Sequence, residues 1–504
     1  MRTSAREPRA RRRPLLAAAA TVLTSAIAAL AAPSADARAT VPSAPAFARS
    51  PLARPVWSTL VGTERDDAII DVAVNGSGLI AVAGATDGPI DGYPNRQIDG
   101  WVAVYDAAGA RRWLRRFGTP QDEIVTSVAI SDAGDVWVAG DTYGGMQGNV
   151  NAGERDGFLT RFASDGRELW NVHVSTDVIE RARGLAVDPD GVAFVVGTTY
   201  GNFPGFSNEG KSREAWVTRI DAGGRREWLQ QFGSALSDTT TDAAIDAAGP
   251  VTVAGYTDGA MGAASYGGRD AWVARLAADG TRSWTTQIGG YFWGPVPRLL
   301  PESPPTWISQ LGSTEVAYGI ARAGVGATIV TGTTTGAVAG ATAAGGDDAW
   351  VARVSGAGRV EWIRQIGSAA HDGASSSVAH RTGLVYTALG AGAALPGATG
   401  LGGSDAAIVV RYADGSLRLV AQFGTVGNES AAGIAALPDG RIVVTGTADA
   451  GMFGTPPLGA TDGWIAVFDP VPPRMTVSCR RGASTQTRAG TATRPVCPRG
   501  WREG

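Results

Sequence analysis

The residues best suited to chemistry in this sequence are acids that recur at a regular spacing. A first set opens seven short apolar runs, and it comprises Asp67, Glu123, Glu180, Asp238, Glu315, Asp372 and Glu429. A second set opens seven later runs, and it comprises Asp99, Asp156, Glu214, Asp270, Asp348, Asp405 and Asp462. Carboxylates can ligate calcium, act as a catalytic pair, or accept hydrogen bonds from backbone N–H groups. Seven equivalent copies favour the last role, so we predict a structural ring of acids.

The stretch ERDDAIID at 64–71 is the best local candidate for a cation site. It brings Asp66, Asp67 and Asp71 together in sequence, but their spacing falls short of an EF-hand loop. The chain has 3 His and 2 Cys, too few for a usual His/Cys metal cluster. The sequence also lacks a nucleophile elbow and a phosphate loop. We therefore predict no catalytic residue and no cofactor, and calcium is the one cation left open.

The segments that carry these acids form an internal repeat. A glycine closes an apolar run in every copy, at Gly84, Gly140, Gly197, Gly255, Gly332, Gly390 and Gly446, with steps of 56–58 residues and one step of 77. Each repeat holds four runs in which β-branched and aromatic residues alternate with polar ones. Glycine occupies the first turn of all copies, as a tight hairpin requires. The repeat predicts an all-β fold, a seven-bladed β-propeller of four-stranded antiparallel blades.

The two ends of the repeat array complete one another. WSTLVGT at 57–63 is a copy of the fourth strand with no strands before it, and DGWIAVFDP at 462–470 is a copy of the third strand with no fourth strand after it. We predict that the N-terminal strand 57–61 pairs antiparallel with the C-terminal strand 463–469. This pairing closes the ring and removes exposed sheet edges.

Composition divides the rest of the chain. An Arg-rich start, an apolar run and ADA at 35–37 predict a signal peptide over 1–37. A Pro/Ala-rich linker at 38–56 precedes the propeller at 57–469, and a basic Pro/Arg-rich tail follows at 470–504. The tail is predicted to be disordered, or looped by a disulfide between Cys479 and Cys497. We expect a monomer that is exported to the periplasm, the cell surface or the medium, with no transmembrane segment after signal cleavage.

Two repeat copies carry a resemblance to a known family. GGRDAWVARLAADGTRSWTTQIGG at 267–290 and GGDDAWVARVSGAGRVEWIRQIGS at 345–368 resemble the bacterial seven-bladed β-propeller (SBBP) repeat. The resemblance spans roughly 57–469 and implies a secreted or surface protein with no assigned activity. A more distant similarity to pyrroloquinoline-quinone propellers rests on YDAAGARRW and FASDGRELW. The cofactor- and calcium-binding residues of those enzymes do not map onto this sequence.

Long loops on one face of the ring are the expected place for binding. The connections between second and third strands, and those between blades, should share this face. They include an insertion at 289–306, and the candidate ligand-binding residues in or beside it are Tyr291, Phe292, Trp293 and Trp307. The alternative is that the insertion packs down as a structural flap.

The predicted function is non-catalytic binding of an envelope glycan or a protein partner through this face. One alternative is a secreted propeller enzyme, either a polysaccharide lyase or hydrolase or a quinoprotein-like oxidoreductase, and another is a purely structural surface module. A net charge of −3 gives no argument for nucleic-acid binding. An enzyme should show one blade-specific cluster of unlike polar groups around the axis that converges on one pocket, whereas a binder should show exposed aromatic residues on the insertion.

Overall fold

The computed structural model describes residues 52, 54–90, 92, 97–208, 212–246, 249–261, 265, 268–289, 313–338 and 341–471, with the backbone of three further strands between 475 and 503. The regular elements in these ranges are β-strands. None of the described residues belongs to a helix long and apolar enough to cross a membrane.

Each blade is an antiparallel sheet of four strands, which we call A, B, C and D in chain order. Second and third strands such as IAVAGAT at 80–86 and DGWVAVY at 99–105 are buried along their whole length, because successive side chains point to the two neighbouring blades in turn. Short turns join A to B and C to D. In the A–B turn of the second blade, Gly134 has φ 89° and donates its N–H to Ser131 O at 2.9 Å, a conformation that favours glycine.

In the order A to D, blade 1 consists of β2 (Asp67–Val74), β3 (Ile80–Thr86), β4 (Asp99–Tyr105) and β5 (Arg111–Phe117). Blade 2 consists of β6 (Glu123–Ile130), β7 (Val136–Thr142), β8 (Asp156–Phe162) and β9 (Glu168–Val174). Blade 3 consists of β10 (Glu180–Val187), β11 (Ala193–Thr199), β12 (Glu214–Ile220) and β13 (Arg226–Phe232). Those of blades 4 and 5 are β14 (Asp238–Ile245), β15 (Val251–Thr257), β16 (Asp270–Leu276), β17 (Arg282–Ile288); β18 (Glu315–Arg322), β19 (Thr328–Thr334), β20 (Asp348–Val354), β21 (Val360–Ile366). Those of blades 6 and 7 are β22 (Asp372–Ala379), β23 (Val385–Ala391), β24 (Asp405–Arg411), β25 (Leu417–Phe423); β26 (Glu429–Ala436), β27 (Ile442–Ala448), β28 (Asp462–Phe468), and β1 (Trp57–Val61).

The seventh blade is assembled from both ends of the array, in the order β26-β27-β28-β1. Strand β1 pairs antiparallel with β28, from Trp57 opposite Val467 to Val61 opposite Gly463. The predicted seven blades and the predicted closure of the ring are therefore confirmed. The A strands of neighbouring blades contact one another around the ring, so A is the innermost strand.

Tryptophans on the D strands hold each blade to the next. Trp113 of blade 1 donates its indole N–H to Ser164 O in the C–D turn of blade 2, at 2.9 Å. Its ring covers Gly166, where a Cβ atom would lie 2.8 Å from the indole. The same contact recurs for Trp57, Trp170, Trp228, Trp284 and Trp362. Blade 6 has Val420 at this position. The C and D strands of blade 7 come from opposite ends of the array, so blade 7 has no C–D turn to receive a tryptophan.

A second tryptophan packs inside most blades. On strand C, Trp216 is fully buried against Gly197 of strand B, its register partner. In blade 6 the larger residue is on strand B and the smaller one on strand C, since Leu389 pairs with Ala407. Gly390, which the repeat grouped with the other glycines, lies one position later and faces Ala406.

The junction between blades 6 and 7 has contacts of its own. Tyr386 accepts a hydrogen bond from Val471 N at 2.9 Å, and Leu52 and Val471 are buried in the same core cluster. His380 Nε2 lies 3.0 Å from Gly440 O in the neighbouring A–B turn. Side chains from both ends of the array thus take the place of the missing tryptophan contact.

The loops divide between two faces. The A–B and C–D turns lie on one, and the longer B–C and D–A connections lie on the other, which we call the long-loop face. Beyond the ring, β29 (Met475–Arg481), β30 (Ser484–Gly490) and β31 (Arg502–Glu503) form a small antiparallel sheet. The sequence predicted a disordered or disulfide-looped tail here. The segment MTVSCRR alternates apolar and polar residues, as a paired strand often does.

Candidate functional site

The first set of acids lies at the start of the A strands on the long-loop face. Glu123 accepts hydrogen bonds from Thr119 N, Thr119 Oγ1 and Thr142 Oγ1, each at 2.7 Å. Thr119 belongs to the preceding loop and Thr142 to strand B. The carboxylate therefore ties the start of its own blade to the connection from the previous blade.

The other copies repeat this arrangement. Hydrogen bonds from the backbone or hydroxyl of a residue four positions earlier, or from a strand B hydroxyl, reach Asp67, Glu180, Asp238, Glu315, Asp372 and Glu429. Burial raises the pKa of the carboxyl in Asp67, Glu123, Glu180, Asp238 and Glu429, and that of Asp372 to about 6. Their hydrogen bonds are those of backbone caps.

The second set of acids, at the start of the C strands, is also engaged. In blade 3, Gln231 donates to Glu214 at 2.6 Å and holds the B–C loop through Phe203 N and Gly201 O. Gln287, Gln365 and Gln422 do the same in blades 4–6. His173 takes this place in blade 2, where its Nδ1 lies 3.0 Å from Asp156 Oδ2. This histidine therefore occupies a position that supports a loop.

The candidate cation ligands do not come together. Asp67 belongs to the cap just described, and Asp66 makes an isolated bridge with Thr461. Asp71 lies four residues further along β2, roughly 13 Å away at about 3.3 Å per residue. It accepts hydrogen bonds from Ser127 Oγ and Val128 N of blade 2, both at 2.9 Å. In the part of the chain that the structure describes, no group of three or more His, Cys, Asp or Glu side chains is placed to hold a metal ion.

The other candidates fall largely outside the described residues. Tyr291, Phe292, Trp293 and Trp307 all lie within 290–312, which the structure does not describe. The backbone of Cys479 belongs to β29, opposite Gln486 and Glu503, and Cys497 is not described.

The structure reveals a different set of polar residues around the axis of the long-loop face. Five positions per blade surround this opening, and we call them the mouth positions. They are the second and fourth residues of strand A, the sixth residue of strand B, the residue after strand B, and the residue before strand C. All arginines at mouth positions lie in blades 2–4, and they are Arg155, Arg181, Arg183, Arg213 and Arg269.

Tyrosine and aspartate side chains accompany these arginines. Blades 2–4 also carry Tyr143, Tyr200, Tyr256, Asp141 and Asp258 at mouth positions, and we call these residues with the five arginines the arginine–tyrosine sector. Blades 5, 6, 7 and 1 carry neutral or acidic residues at the same positions, chiefly Ala, Gly, Ser, Thr and Asp. The opening is therefore chemically one-sided although the ring is regular.

Blade 2 contributes a compact group. Arg155 is only 7% exposed, and its guanidinium pairs with the fully buried Asp141. The same guanidinium donates to Tyr143 Oη at 3.1 Å and lies 5.0 Å from the centre of the Tyr143 ring. The backbone of Arg155 accepts a hydrogen bond from Glu180 N at 2.7 Å, so this group lies beside the start of β10.

Blade 4 contributes a similar group on the other side. Arg269 Nε donates to Asp258 at 2.8 Å, and its guanidinium lies 4.6 Å from the centre of the Tyr256 ring. Burial lowers the pKa of Arg269, but the hydrogen bond and negative charge of Asp258 outweigh it, so the pKa is raised. This arginine is therefore a firmly held cation.

Blade 3 lies between them and has no acid at its mouth positions. Arg181 and Arg183 project from β10, where Arg183 is the extra residue of a β-bulge. Neither side chain makes a hydrogen bond or ion pair within the described residues. Arg183 lies close enough to Asp141, Arg155 and Tyr256 for their charges to act on it. Burial lowers its pKa, which means that its positive charge is poorly solvated.

Unsatisfied polar atoms mark the same place. Six buried side-chain atoms at these mouth positions lack a hydrogen-bond partner among the described residues, namely Asp141 Oδ1, Arg155 Nε, Arg181 Nε, Arg183 Nη1, Thr198 Oγ1 and Thr239 Oγ1. The mouth positions of blades 5, 6, 7 and 1 have none in the described ranges. Buried polar groups normally find partners in protein, water or ligand. Donors and acceptors are therefore concentrated in one sector.

The sequence-based predictions did not include this sector, because they rested on the residues that recur in every copy of the repeat. ERARGLAV at 180–187 carries two arginines where the other copies, such as DAIIDVAV and EIVTSVAI, have none. Comparison of the repeats position by position would have singled out Arg181 and Arg183. Only the three-dimensional structure could show that the loop residues Tyr143, Arg155 and Arg269 lie beside them.

Comparisons with known proteins do not assign this chain to a family. No family model matches the chain. Regulatory protein FlaEY of Caulobacter vibrioides is 26% identical over 181 residues, which are 33% of this chain and 19% of that protein. The SBBP relationship therefore stays a resemblance.

Similar solved structures are distant in sequence. The Pan2 WD40 domain of Neurospora crassa is 10% identical with a TM-score of 0.42, and the match covers 81% of this chain and 95% of that one. The propeller domain of the Trilobed protease from Pyrococcus furiosus is 9% identical with a TM-score of 0.41, covering 84% and 97%. A PL25 ulvan lyase is 11% identical with a TM-score of 0.43, covering 82% and 96%.

Proposed function

We propose that this chain is an exported, non-catalytic binding module that recognises an envelope glycan or protein partner through its long-loop face. The arginine–tyrosine sector is its recognition surface. The observation that carries this proposal is the one-sidedness of the mouth. Seven blades share strands, turns and acid caps, but at the five mouth positions, all of which the structure describes, arginines and unsatisfied buried polar atoms occur only in blades 2–4.

Rigidity supports a binding role for these side chains. The guanidinium groups of Arg155 and Arg269 are each held by an aspartate, and the backbone of Arg181 and Arg183 belongs to an innermost strand. Preorganised groups lose little conformational entropy when a partner binds. Tyr143 and Tyr200 are 38% and 41% exposed, so large aromatic surfaces border the arginines. Exposed aromatic and arginine side chains are the residues that most often dominate binding energy.

An experiment with an envelope preparation tests this function. The purified protein is immobilised, and binding of solubilised bacterial envelope is measured for the wild type, Arg183→Gln and Arg167→Gln. Arg167 lies in a C–D turn on the opposite face and is exposed, so it is a matched control. We expect binding by the wild type and the control and a large loss for Arg183→Gln. Equal binding by all three would contradict a role for this sector. Prior protease treatment of the envelope separates protein partners from glycans.

Export is a separate part of the proposal and rests on the sequence of residues 1–37. The mature protein is expected to begin at Arg38 and to be recovered outside the cytoplasm. N-terminal sequencing of the protein from fractionated cells tests this. An intact N-terminus in the cytoplasmic fraction would contradict it.

An enzyme is the second candidate, because the sector is a cluster of unlike polar groups. Tyr143 Oη accepts a hydrogen bond from Arg155, and Tyr256 lies beneath Arg269. A phenol beside a guanidinium is a reasonable acid or base for β-elimination from an acidic sugar. Incubation with uronate polysaccharides, followed by ultraviolet absorbance of an unsaturated product, distinguishes this activity from binding alone. Product formation that Tyr143→Phe abolishes would favour the enzyme.

A further inference from the structure

The chemistry of the sector narrows the ligand, and this inference rests on the proposed function. We infer that the sector binds a saccharide bearing carboxylate or sulfate groups, with the anionic group held by Arg181 and Arg183 and the sugar rings placed against Tyr143 and Tyr200.

The charges of the sector favour an anion. Five arginines are accompanied there by two aspartates, and each aspartate is engaged by one arginine, Asp141 by Arg155 and Asp258 by Arg269. The arginines of blade 3 have no acid at the mouth positions of their own blade. Guanidinium groups bind carboxylate and sulfate oxygens through paired N–H donors. The ligand group that completes this site should therefore carry a negative charge.

The burial of one atom of the Arg183 guanidinium favours a ligand that carries a small anionic group on a narrow chain. Its Nη1 atom is buried and has no hydrogen-bond partner among the described residues. Burial disfavours the positive charge on this side chain, and a bound anion would compensate for that cost. Arg183 as a whole is half-buried, so a uronate or a sulfate ester on a narrow sugar chain can reach the rest of its guanidinium.

The remaining groups favour a sugar over an acidic peptide. Tyr143 and Tyr200 occupy equivalent positions on neighbouring blades, each following strand B, and both are exposed. Aromatic rings with a polar edge suit a sugar ring, which has an apolar face and a rim of hydroxyls.

Calorimetric titration with defined probes tests this inference. The probes are tetragalacturonate, its neutral methyl ester, a chondroitin sulfate tetrasaccharide and a hexaglutamate peptide. We expect the protein to bind one or both anionic sugars and to bind the ester at least about tenfold more weakly, as the loss of a charge-assisted hydrogen bond predicts. Preference between the two anionic sugars distinguishes carboxylate from sulfate recognition.

Variants locate the binding. Arg183→Gln and Arg181→Gln should each weaken binding about tenfold to a hundredfold. Tyr200→Ala should weaken binding of the sugars and leave the melting temperature unchanged. Arg167→Gln, on the opposite face, should behave as the wild type. Equal affinity for tetragalacturonate and its methyl ester would overturn the role of the anion.

Two further outcomes separate this inference from the proposed function. Binding of hexaglutamate in preference to both anionic sugars, with loss in Arg183→Gln, would overturn the saccharide and leave the binding surface intact. No binding of either anionic sugar below about 1 mM would also overturn the saccharide. In that case the envelope experiment decides whether the surface binds anything else. Equal envelope binding by the wild type and Arg183→Gln would overturn the proposed function itself.

Discussion

Blades 2–4 and blades 5–7 are built from the same strands and the same acid caps, yet they present different chemistry at the mouth of the ring. In blade 2, Arg155 and Asp141 pair beside Tyr143. The equivalent residues of blade 6 are Ser404, Gly390 and Gly392. Both halves bury their acids and lock their blades, so the difference is not needed for folding. The residues that recur in every blade form the scaffold. The mouth residues that differ between blades are the candidates for function.

Departures from the repeat elsewhere have structural causes. Val420 stands in place of a tryptophan where the next blade has no C–D turn, and Ala407 is matched by Leu389 across the strand pair. His380 contacts the turn of blade 7. Blade 6 therefore differs because it adjoins the blade that closes the ring. A departure from the repeat indicates function only when no packing change accompanies it.

The largest expected effect comes from opening the ring, since the comparison presupposes one closed scaffold. Deletion of 57–61 removes β1 and exposes the edge of β28. We expect aggregation or complete loss of the cooperative melt, measured by size-exclusion chromatography and calorimetry. Deletion of five residues from the preceding linker is the control. A soluble 57–61 deletion with an unchanged melt would show that both halves stand without closure.

The next effect concerns the two borders of the group formed by blades 2–4. Asp71 joins blade 1 to blade 2, and Asp242 joins blade 4 to blade 5 by accepting from Ile320 N at 2.9 Å. Burial raises the pKa of Asp71 to about 6 and that of Asp242 to about 8. The unfolded carboxyls ionise near pH 4, whereas the folded ones retain their protons to higher pH.

Stability should therefore fall as pH rises from about 4 to about 8, by up to about 1.4 kcal/mol per pH unit for each such group. Asp242→Asn removes one of these groups, so its unfolding free energy should depend less steeply on pH. Urea unfolding across this window measures both slopes. Parallel slopes for the wild type and Asp242→Asn would contradict the raised pKa.

A smaller effect tests whether blade 6 differs from its neighbours only by an exchange of sizes. Leu389→Gly alone should cost about 3 kcal/mol, because it leaves a cavity opposite Ala407. Ala407→Trp alone should also destabilise, by overpacking against Leu389. The double variant restores the pair seen in blade 3, and it should recover most of the lost stability. If the double variant is destabilised in thermal unfolding by the sum of the two single effects, the exchange of sizes is contradicted.

The smallest effect is expected when the same substitution is made at equivalent positions of blade 2 and blade 5. Thr142 and Thr334 donate to the acid caps Glu123 and Glu315, each at 2.7 Å. Replacement of either by Val should cost about 1–2 kcal/mol and leave binding unchanged. Replacement by Ser, which keeps the hydroxyl, is the control for each. A much greater cost in one blade than in the other would show that the scaffold is not equivalent in the two halves.

The fold could be predicted from the sequence because its determinants repeat. Glycine turns, strand-opening acids and tryptophans recur seven times or nearly so, and the two half-blades at the ends of the array can be joined in only one way. The interior contacts were harder to predict, since Trp113 meets a turn some fifty residues away. The β-bulge that frees Arg183 from the strand register left no sequence signal.

The candidate site could not be predicted in this way. Its residues come from strand A, strand B and the B–C loops of three blades, and they are scattered over 141–269. Sequence analysis instead favoured Trp293 and its neighbours, because aromatic residues are concentrated in that insertion. Arg181 lies in a strand whose other copies are apolar or small at the same position, so its meaning emerges only when the blades are superimposed.

The most direct test of the central claim is a footprint of the bound state at single residues. Hydroxyl-radical oxidation, read by mass spectrometry, is compared with and without tetragalacturonate and with and without solubilised envelope. The account predicts protection of Tyr143 and Tyr200 in the arginine–tyrosine sector and no change at Leu401 and Val426, which are exposed on loops of blades 6 and 7. Protection of Leu401 and Val426, with Tyr143 and Tyr200 unchanged, would contradict it.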